Sequence, residues 1–374
     1  MRADKVIQVL YHERLVGRLA VNAEQKVAFE YDDEWIEQGF SISPFSLPLK
    51  KQVYVPAKMC FGGLFGVFAD SLPDAWGQIL LRRVLRKNGQ NVNELSALDR
   101  MAIVGSSGMG ALTYEPQIRT EERQLSLNLD KLAMQCEQIL TTEYDGNLDE
   151  LYQLGGTSGG ASPKILTRIN KEDWIIKFPA HVDSIDAGKM EYEYSLCAKK
   201  CGIDMTDTKL FDSERCLGYF GIRRFDRENA KQQKVHMCTA AALLEADFEQ
   251  PCMDYWDLMK LTKIMTNNNK HDLENMFLRM CFNVFAHNRD DHAKNFSFLY
   301  KEEEQQWRLS PAYDLTFSST YYGEHTISID GNGSNPGEED LMRVGTEAGI
   351  STGKCKELMS MVHENVAKDL AQYL

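Results

Sequence analysis

The sequence predicts an α+β protein with three successive parts: strands, then strands mixed with helices, then mostly helices. Short runs of alternating hydrophobicity open the chain, and a second group of such runs follows a glycine-rich segment near residue 150. Helical periodicity dominates from about residue 236 to 286. With 374 residues, 43% of them hydrophobic, the chain is long enough for two or three units and at least one sizeable core.

The first part, residues 1–115, is expected to form a mainly antiparallel sheet. The runs VIQVLY, RLVGRLAV and KVAFEY alternate and end at polar or turn residues. Downstream, SLPDAWGQILLRRVLRKNG predicts a helix that Pro73 opens behind a cap at Asp70 or Ser71. Its apolar face comprises Trp76, Ile79, Leu80 and Val84.

The remaining chain divides into a helix-prone connection (116–149), a mixed region (150–225) and a mostly helical region (226–374). In the mixed region, strands ILTRI and WIIKFP follow the loop LGGTSGGASPK, and the helix KMEYEYSLCAKKCGI precedes two further strands. In the last region, LENMFLRMCFNVFA predicts a buried helix because its apolar residues share one broad stripe. That stripe contains Leu273, Met276, Phe277, Met280, Val284 and Phe285.

Charge and cysteine content limit the classes of function. The opening MRADKVIQVLYHERLVG is charged from its second residue and no long apolar stretch follows, so a cytoplasmic, non-membrane protein is expected. A net charge of −13 argues against broad nucleic-acid binding by this chain alone. Nine cysteines without CxxC pairs argue against a disulfide framework or a zinc site.

The motifs follow the order found in two-lobed ATP-dependent phosphotransferases. The glycine-rich loop comes first, and its flexible backbone can wrap phosphate while Lys164 neutralises it. It does not satisfy GxxxxGK[ST], and alone it would equally suit a flexible linker. Lys177, in a strand, would then pair with the phosphates and with an acid on the next helix, either Glu191 or Glu193.

The stretch AHNRDDHAKNFSF carries the strongest signal. Kinase chemistry needs an Asp that accepts the substrate proton and, in a D-x-x-x-x-N spacing, an Asn that holds a metal ion. Only Asp290 has that spacing to Asn295, so Asp291 is expected to stabilise the loop, and Asp291→Asn to weaken phosphotransfer far less than Asp290→Asn. Lys294 could stabilise the transferring phosphoryl group, and His292 is assigned to the architecture of the loop.

Asp314 completes the set of candidate catalytic residues. It follows a strand–turn–strand pattern in SPAYDL, where a kinase places the Asp that binds Mg²⁺ between the β- and γ-phosphates. Each acid alone would suit a turn or a helix cap. Two acids and an amide at these spacings behind a buried helix favour the catalytic interpretation.

These motifs resemble those of the HipA-type serine/threonine kinases, the toxins of bacterial toxin–antitoxin systems. TSGGASPK is similar to the family's S-x-G-G-A-x-P-K loop, and IIKFP, RRFDR, NRDDHAKNFSF and LSPAYDL resemble further blocks in the same order. LVGRL with SLPL, LPDAWG and VGSSGMGAL resemble the small N-terminal region of these proteins. The resemblance covers nearly the whole chain, and the N-x-D-x-H-x-K-N-F block is quite specific.

The resemblance implies a two-lobed, protein-kinase-like fold with an N-terminal extension, and ATP and Mg²⁺ as cofactors. Asp290 and Lys294 would be catalytic, and Asn295 and Asp314 would bind the metal. Arg224 and Phe225 fall in the hinge block that contacts adenine. The implied ATP-binding set is Thr157, Ser158, Gly159, Gly160, Ala161, Ser162, Lys164, Lys177, Glu191, Arg224, Phe225, His292 and Asn295.

The resemblance also implies a regulatory scheme and partners. A family serine at the start of the glycine-rich loop is autophosphorylated, which ejects the loop; Thr157, followed by Ser158, stands there, so either hydroxyl or neither can be modified. A dianionic group there would repel ATP phosphates. A HipB-type helix-turn-helix antitoxin would be the partner, with DNA contacted only through it, and the substrate would be a protein such as an aminoacyl-tRNA synthetase.

Two alternatives remain open at this level. A small-molecule phosphotransferase of the aminoglycoside or choline kinase sort shares the lobes and the D-x-x-x-x-N loop, although the first 115 residues are unnecessary for that chemistry. A catalytically silent protein that only holds an antitoxin on operator DNA is the other. The complete set of Lys177, Asp290, Asn295 and Asp314 argues against it.

Overall fold

The fold is that of a computed structural model, which describes residues 6–59, 61–118, 128–141, 148–156, 160–180, 183–228, 233–246, 253–320 and 323–374. Within these ranges the chain forms four antiparallel sheets and twelve α-helices, which confirms the α+β prediction. Thr157, Ser158 and Gly159 of the predicted phosphate loop lie outside the described residues.

The first part folds as the antiparallel sheet that its alternating runs predict. Its strand order is β4-β3-β2-β1-β5, and alternate residues of β1 (Ile7, Val9 and Tyr11) are buried. The strands are β1 (Val6–Tyr11), β2 (Arg14–Val21), β3 (Val27–Tyr31), β4 (Val53–Tyr54) and β5 (Leu112–Glu115). The helices are α1 (Asp33–Gln38), α2 (Gly66–Ala69), α3 (Ala75–Lys87) and α4 (Ala97–Val104).

The start of α3 differs from the prediction. Asp74 is the N-cap residue and the helix begins at Ala75, so Pro73 precedes the cap instead of opening the helix. The two predicted caps bind elsewhere: the Ser71 hydroxyl lies 2.7 Å from the Tyr114 hydroxyl, and Asp70 accepts a hydrogen bond from the backbone of Thr239. The predicted apolar face does form, with Trp76, Leu80 and Val84 buried and Ile79 partly buried.

The second part contains a four-stranded antiparallel sheet of order β6-β7-β9-β8. Helix α3 packs against α6, and its buried side chains share one core with those of the sheet. A helix of the first part is therefore built into the core of the second. The elements are α5 (Leu129–Thr141), α6 (Leu148–Gly155), β6 (Lys164–Ile169), β7 (Glu172–Lys177), α7 (Ala187–Lys200), β8 (Thr208–Phe211) and β9 (Tyr219–Arg223).

The third part is mostly helical and carries a small sheet of order β12-β13-β14. The strands are β10 (Arg227–Glu228), β11 (Gln233–Lys234), β12 (Met237–Thr239), β13 (Ser297–Lys301) and β14 (Gln306–Leu309). The helices are α8 (Ala240–Leu244), α9 (Tyr255–Met265), α10 (Lys270–Phe285), α11 (Glu338–Glu347) and α12 (Thr352–Asp369). The prediction of helix from residue 236 was wrong at β12, because three residues are too few to show a strand period.

Helix α10 confirms the predicted buried helix and leads directly into the candidate catalytic loop. Its stripe residues are at most 8% exposed except Phe285, which is partly buried.

The first and third parts pack so closely that a Cβ added at Gly66 would lie 2.5 Å from the Cα of Ala242. Among the described residues, no helix combines the length and the apolar character that a membrane crossing requires.

Candidate active site

Three of the predicted site residues meet at Lys177, the last residue of β7. Its ammonium group lies 2.6 Å from Glu191 Oε1 on α7 and also forms an ion pair with Asp314. The structure thereby distinguishes the two acids that the sequence left open. Glu193 instead accepts hydrogen bonds from Gln372 and from the Tyr373 hydroxyl, at 2.7 and 2.6 Å.

Burial and charge act in opposite directions on this cluster. Burial would raise the pKa of Asp314, but attraction to Lys177 and then to Lys164 lowers it to about 2. Burial would lower the pKa of Lys177, but Asp314 and Glu191 together raise it well above its usual value. Lys177 is therefore a cation and Asp314 an anion near pH 7, as binding of phosphate and metal requires.

Lys164 provides a second buried cation next to the first. It is the first residue of β6, pairs in register with Lys177, and is 5% exposed. Burial, followed by repulsion from Lys177, lowers its pKa to about 8. Gly160 has a positive φ of 87°, a backbone conformation that residues with a Cβ rarely adopt, so the loop favours glycine at this point. Ala161 and Ser162 are exposed.

The catalytic loop, residues 286–298, places its two aspartates in opposite environments. The Asp290 side chain is 61% exposed, and the Asn295 amide donates to the Asp290 carbonyl at 2.8 Å, which closes the loop. The Asp291 side chain is fully buried. His292 lies beside Asp290, with Nε2 3.9 Å from Oδ1.

Asp291 anchors this loop to the rest of the helical part. Its carboxylate accepts from the Tyr255 hydroxyl at 2.9 Å and from the backbone amides of Thr326 and Ile327 at 2.9 and 3.3 Å. His325 Nδ1 lies 2.9 Å away. A carboxylate enclosed in this way cannot meet a substrate hydroxyl, which supports the assignment of the base to Asp290 from spacing.

Asp314 is held in an uncommon backbone conformation. Its φ is +54°, in the left-handed region that few residues other than glycine adopt. Two contacts tie this segment to the catalytic loop: the Asn288 amide donates to the Asp314 carbonyl at 3.4 Å, and the Tyr313 hydroxyl donates to the Lys294 carbonyl at 2.6 Å. Neighbouring contacts thus determine where the carboxylate of Asp314 lies.

The two predicted hinge residues, Arg224 and Phe225, differ in their contacts. Arg224 is buried and binds Asp226 through two hydrogen bonds of 2.9 and 2.7 Å. Asp226 also accepts from the Gly110 backbone at 2.8 Å, so the hinge is fastened to the first part of the chain. The centroids of the Phe225 and Tyr313 rings lie 5.2 Å apart. The guanidinium group of Arg224 is therefore occupied by Asp226, whereas the ring of Phe225 makes no polar contact with the described residues.

Asp74 is a residue of the site that sequence reasoning missed. One of its carboxylate oxygens forms an ion pair with Lys294 of the catalytic loop, and the other accepts from the Gly160 backbone at 3.0 Å. The block LPDAWG contained this residue, but nothing in the chain's local pattern relates position 74 to position 294. It could be found only from the tertiary fold.

The residues present fit the cofactors that the sequence implies. Lys164, Lys177 and the backbone around Gly160 can hold phosphate, and the carboxylate of Asp314 with the amide of Asn295 offers the oxygen ligands that Mg²⁺ takes. Among the described residues no three His, Cys, Asp or Glu side chains form a metal cluster.

Comparison with known proteins places the chain in a family. The model of the HipA N-terminal domain matches residues 7–115, and that of the HipA-like C-terminal domain matches residues 156–370. The Sinorhizobium fredii protein named "Putative kinase Y4dM" is 27% identical over 173 residues, 42% of this chain and 40% of that protein. The match therefore spans about two fifths of that relative's length.

A solved structure shows the same fold. The HipA of Shewanella oneidensis MR-1, determined with HipB and operator DNA, superposes with a TM-score of 0.73 over 98% of this chain and 90% of its own, at 17% identity. At that identity the likeness concerns the fold alone. Since the two family models together match most of its length, the chain belongs to the HipA family.

Proposed function

We propose that this protein is an ATP- and Mg²⁺-dependent protein serine/threonine kinase that acts as the toxin of a toxin–antitoxin pair. The observation that carries the proposal is the convergence of Lys177, Glu191 and Asp314 from three separate elements. This cluster lies beside a loop in which Asp290 is exposed and Asp291 is anchored. The arrangement has the parts that phosphoryl transfer from a nucleotide requires.

Each residue then has a chemical role. Lys164 and Lys177 would bind the phosphates, and Asn295 and Asp314 would hold Mg²⁺, which would supply positive charge to offset the charge that develops on the transferring group. Asp290 orients the substrate hydroxyl and accepts its proton, while Lys294 faces the phosphoryl group. Phe225 and the hinge backbone contact adenine. The proposed domains are an N-terminal subdomain (1–115), a helical connection (116–149), a kinase N-lobe-like region with the glycine-rich loop (150–225) and a mostly helical C-lobe (226–374).

Partners and regulation extend the proposal. A HipB-like helix-turn-helix protein is the proposed antitoxin, and its contact with DNA would bring this acidic chain to the operator indirectly. The family match and the fold shared with the Shewanella HipA support this partner. Thr157 or Ser158 is the proposed site of autophosphorylation, and a translation protein such as an aminoacyl-tRNA synthetase is the proposed substrate.

Transfer of labelled phosphate tests the proposal. Purified protein with [γ-³²P]ATP and Mg²⁺ is expected to label itself or proteins of a lysate, and Asp314→Asn to reduce labelling at least about a hundredfold by removing a metal ligand. Label found only in metabolites would identify a small-molecule phosphotransferase instead. No ATP consumption, together with retained antitoxin binding, would identify a silent corepressor.

A further inference from the structure

Asp74 is an N-cap residue that does not cap its helix. An aspartate at this position ordinarily accepts a hydrogen bond from the second or third backbone N–H of the helix. In α3 the Asp74 side chain makes no such bond. Both of its oxygens instead point across the site, one to Lys294 and one to the backbone N–H of Gly160.

The two donors that Asp74 engages belong to the two loops that would surround a terminal phosphate. Gly160 lies within the glycine-rich loop, and Lys294 lies between Asp290 and Asn295 in the catalytic loop. An ammonium group and a loop N–H are the donors that a phosphoryl oxygen takes in a kinase. The carboxylate of Asp74 stands in for that anion.

The beginning of α3 is held firmly enough to keep the carboxylate there. The Trp76 backbone N–H donates to the Gly160 carbonyl at 3.4 Å, and the Trp76 indole donates to the Lys164 carbonyl at 3.1 Å. Gly77 approaches the loop so closely that a Cβ there would lie 2.3 Å from the Gly156 carbonyl oxygen. The ion pair itself is largely enclosed, with side chains 14% and 23% exposed.

We propose that Asp74 is an intramolecular competitor of the γ-phosphate, which makes the first part of the chain a determinant of nucleotide affinity and of the choice between ATP and ADP. The inference rests on the proposed kinase function. A γ-phosphate must displace the carboxylate from Lys294 and Gly160 or be repelled by it. ADP has no group at that position and does not meet Asp74.

Nucleotide binding to Asp74→Asn tests this competition. The amide keeps the size of the side chain and removes its charge, and α3 loses no capping hydrogen bond. With Mg²⁺ present, the Kd for a non-hydrolysable ATP analogue should fall about tenfold, the size expected when one charge-assisted hydrogen bond no longer has to be broken. The Kd for ADP should change less than about twofold.

Two further variants separate this competition from general effects. Asp32→Asn neutralises another N-cap aspartate, whose contacts are Arg18 and the Glu34 amide, and should leave both Kd values unchanged. In a Lys294→Met background, the part of the competition that runs through Lys294 is gone, so Asp74→Asn should strengthen binding of the analogue less than it does in the wild-type background. Thermal melting curves would serve as the control that each variant is folded.

The outcomes distinguish this inference from the function on which it rests. Analogue affinity that is unchanged or weaker in a folded Asp74→Asn protein overturns the inference and leaves the kinase proposal standing. An equal gain for ADP and the analogue overturns it too, because the γ-phosphate would then not be the competing group. If neither protein binds nucleotide at all, the proposed function fails and the inference fails with it.

Discussion

The catalytic loop (286–298) and the glycine-rich loop (155–164) meet at one site but are held in different ways. The catalytic loop is anchored from within its own part of the chain, chiefly through the buried carboxylate of Asp291. Two described residues of the glycine-rich loop, Gly156 and Gly160, are held by α3 and its N-cap residue Asp74 in the first part. One loop carries its own anchor, and the other depends on a distant segment.

The difference explains which loop the sequence describes better. A loop that supplies its own contacts must contain particular residues at fixed spacings. The motif NRDDHAKNF is therefore sufficient to predict the catalytic loop from the sequence. A loop held from outside needs only small residues and permissive backbone angles, which many linkers also have. Its partners must be found in the fold.

Substituting the two adjacent aspartates one at a time would test the catalytic loop, and we expect the largest effect on phosphotransfer here. Asp290→Asn removes the proposed base, so phosphotransfer should fall about 10²- to 10⁴-fold with an unchanged melting temperature. Asp291→Asn places an amide among several hydrogen-bond donors, so the free energy of unfolding should fall by about 2 kcal/mol or more. Activity assays well below the melting temperature should show far less loss for Asp291→Asn.

Labelled-phosphate transfer and thermal melts distinguish these outcomes. The comparison is contradicted if Asp291→Asn abolishes transfer in a fully folded protein while Asp290→Asn keeps it. The spacing argument would then have selected the wrong aspartate.

The pH dependence of ATP binding would test whether the charge of Lys164, at the end of the glycine-rich loop, contributes to ATP affinity. Burial lowers the pKa of this lysine to about 8, and bound phosphate favours its protonated form. ATP affinity should therefore be highest below pH 8 and fall about tenfold toward pH 9.5, as the free protein loses this charge. Calorimetric titrations between about pH 7.5 and pH 9.5 measure the profile, because the phosphates of ATP are fully ionised there.

A matched variant assigns the pH effect to its residue. Lys164→Met carries no titrating group and should bind ATP weakly with a flat profile over the same range. A slope in Lys164→Met as steep as that of the wild type would place the titrating group elsewhere.

Gly77→Ala would loosen the external support of the glycine-rich loop and should have the smallest effect. Alanine favours helix by up to about 1 kcal/mol, but its Cβ would lie 2.3 Å from the Gly156 carbonyl oxygen. We expect a net loss of stability of about 1–3 kcal/mol, measured by urea denaturation. Gly353→Ala, in α12 with open space around the added Cβ, should be neutral or stabilising. Equal effects at both positions would mean that α3 does not press on the loop.

Sequence reasoning predicted the order of the elements and most of the candidate site. The separation of Asp290 from Asp291 depended on a spacing, and the convergence at Lys177 depended on the order of the motifs along the chain. Spacing alone left Glu191 and Glu193 open and only the resemblance favoured Glu191, because the choice depends on which face of α7 turns toward β7. Asp74 was also out of reach, since its partners are 86 and 220 residues away.

Helix α3 has a practical consequence for attempts to shorten the protein. Trp76, Leu80 and Leu81 are buried in the same core as Leu151 of α6 and Ile176 of β7. The boundary at residue 115, where the first family model ends, therefore divides the sequence but not the hydrophobic interior. A fragment that begins at residue 116 would expose that interior to water and should aggregate, unless residues 7–115 are supplied as a separate chain.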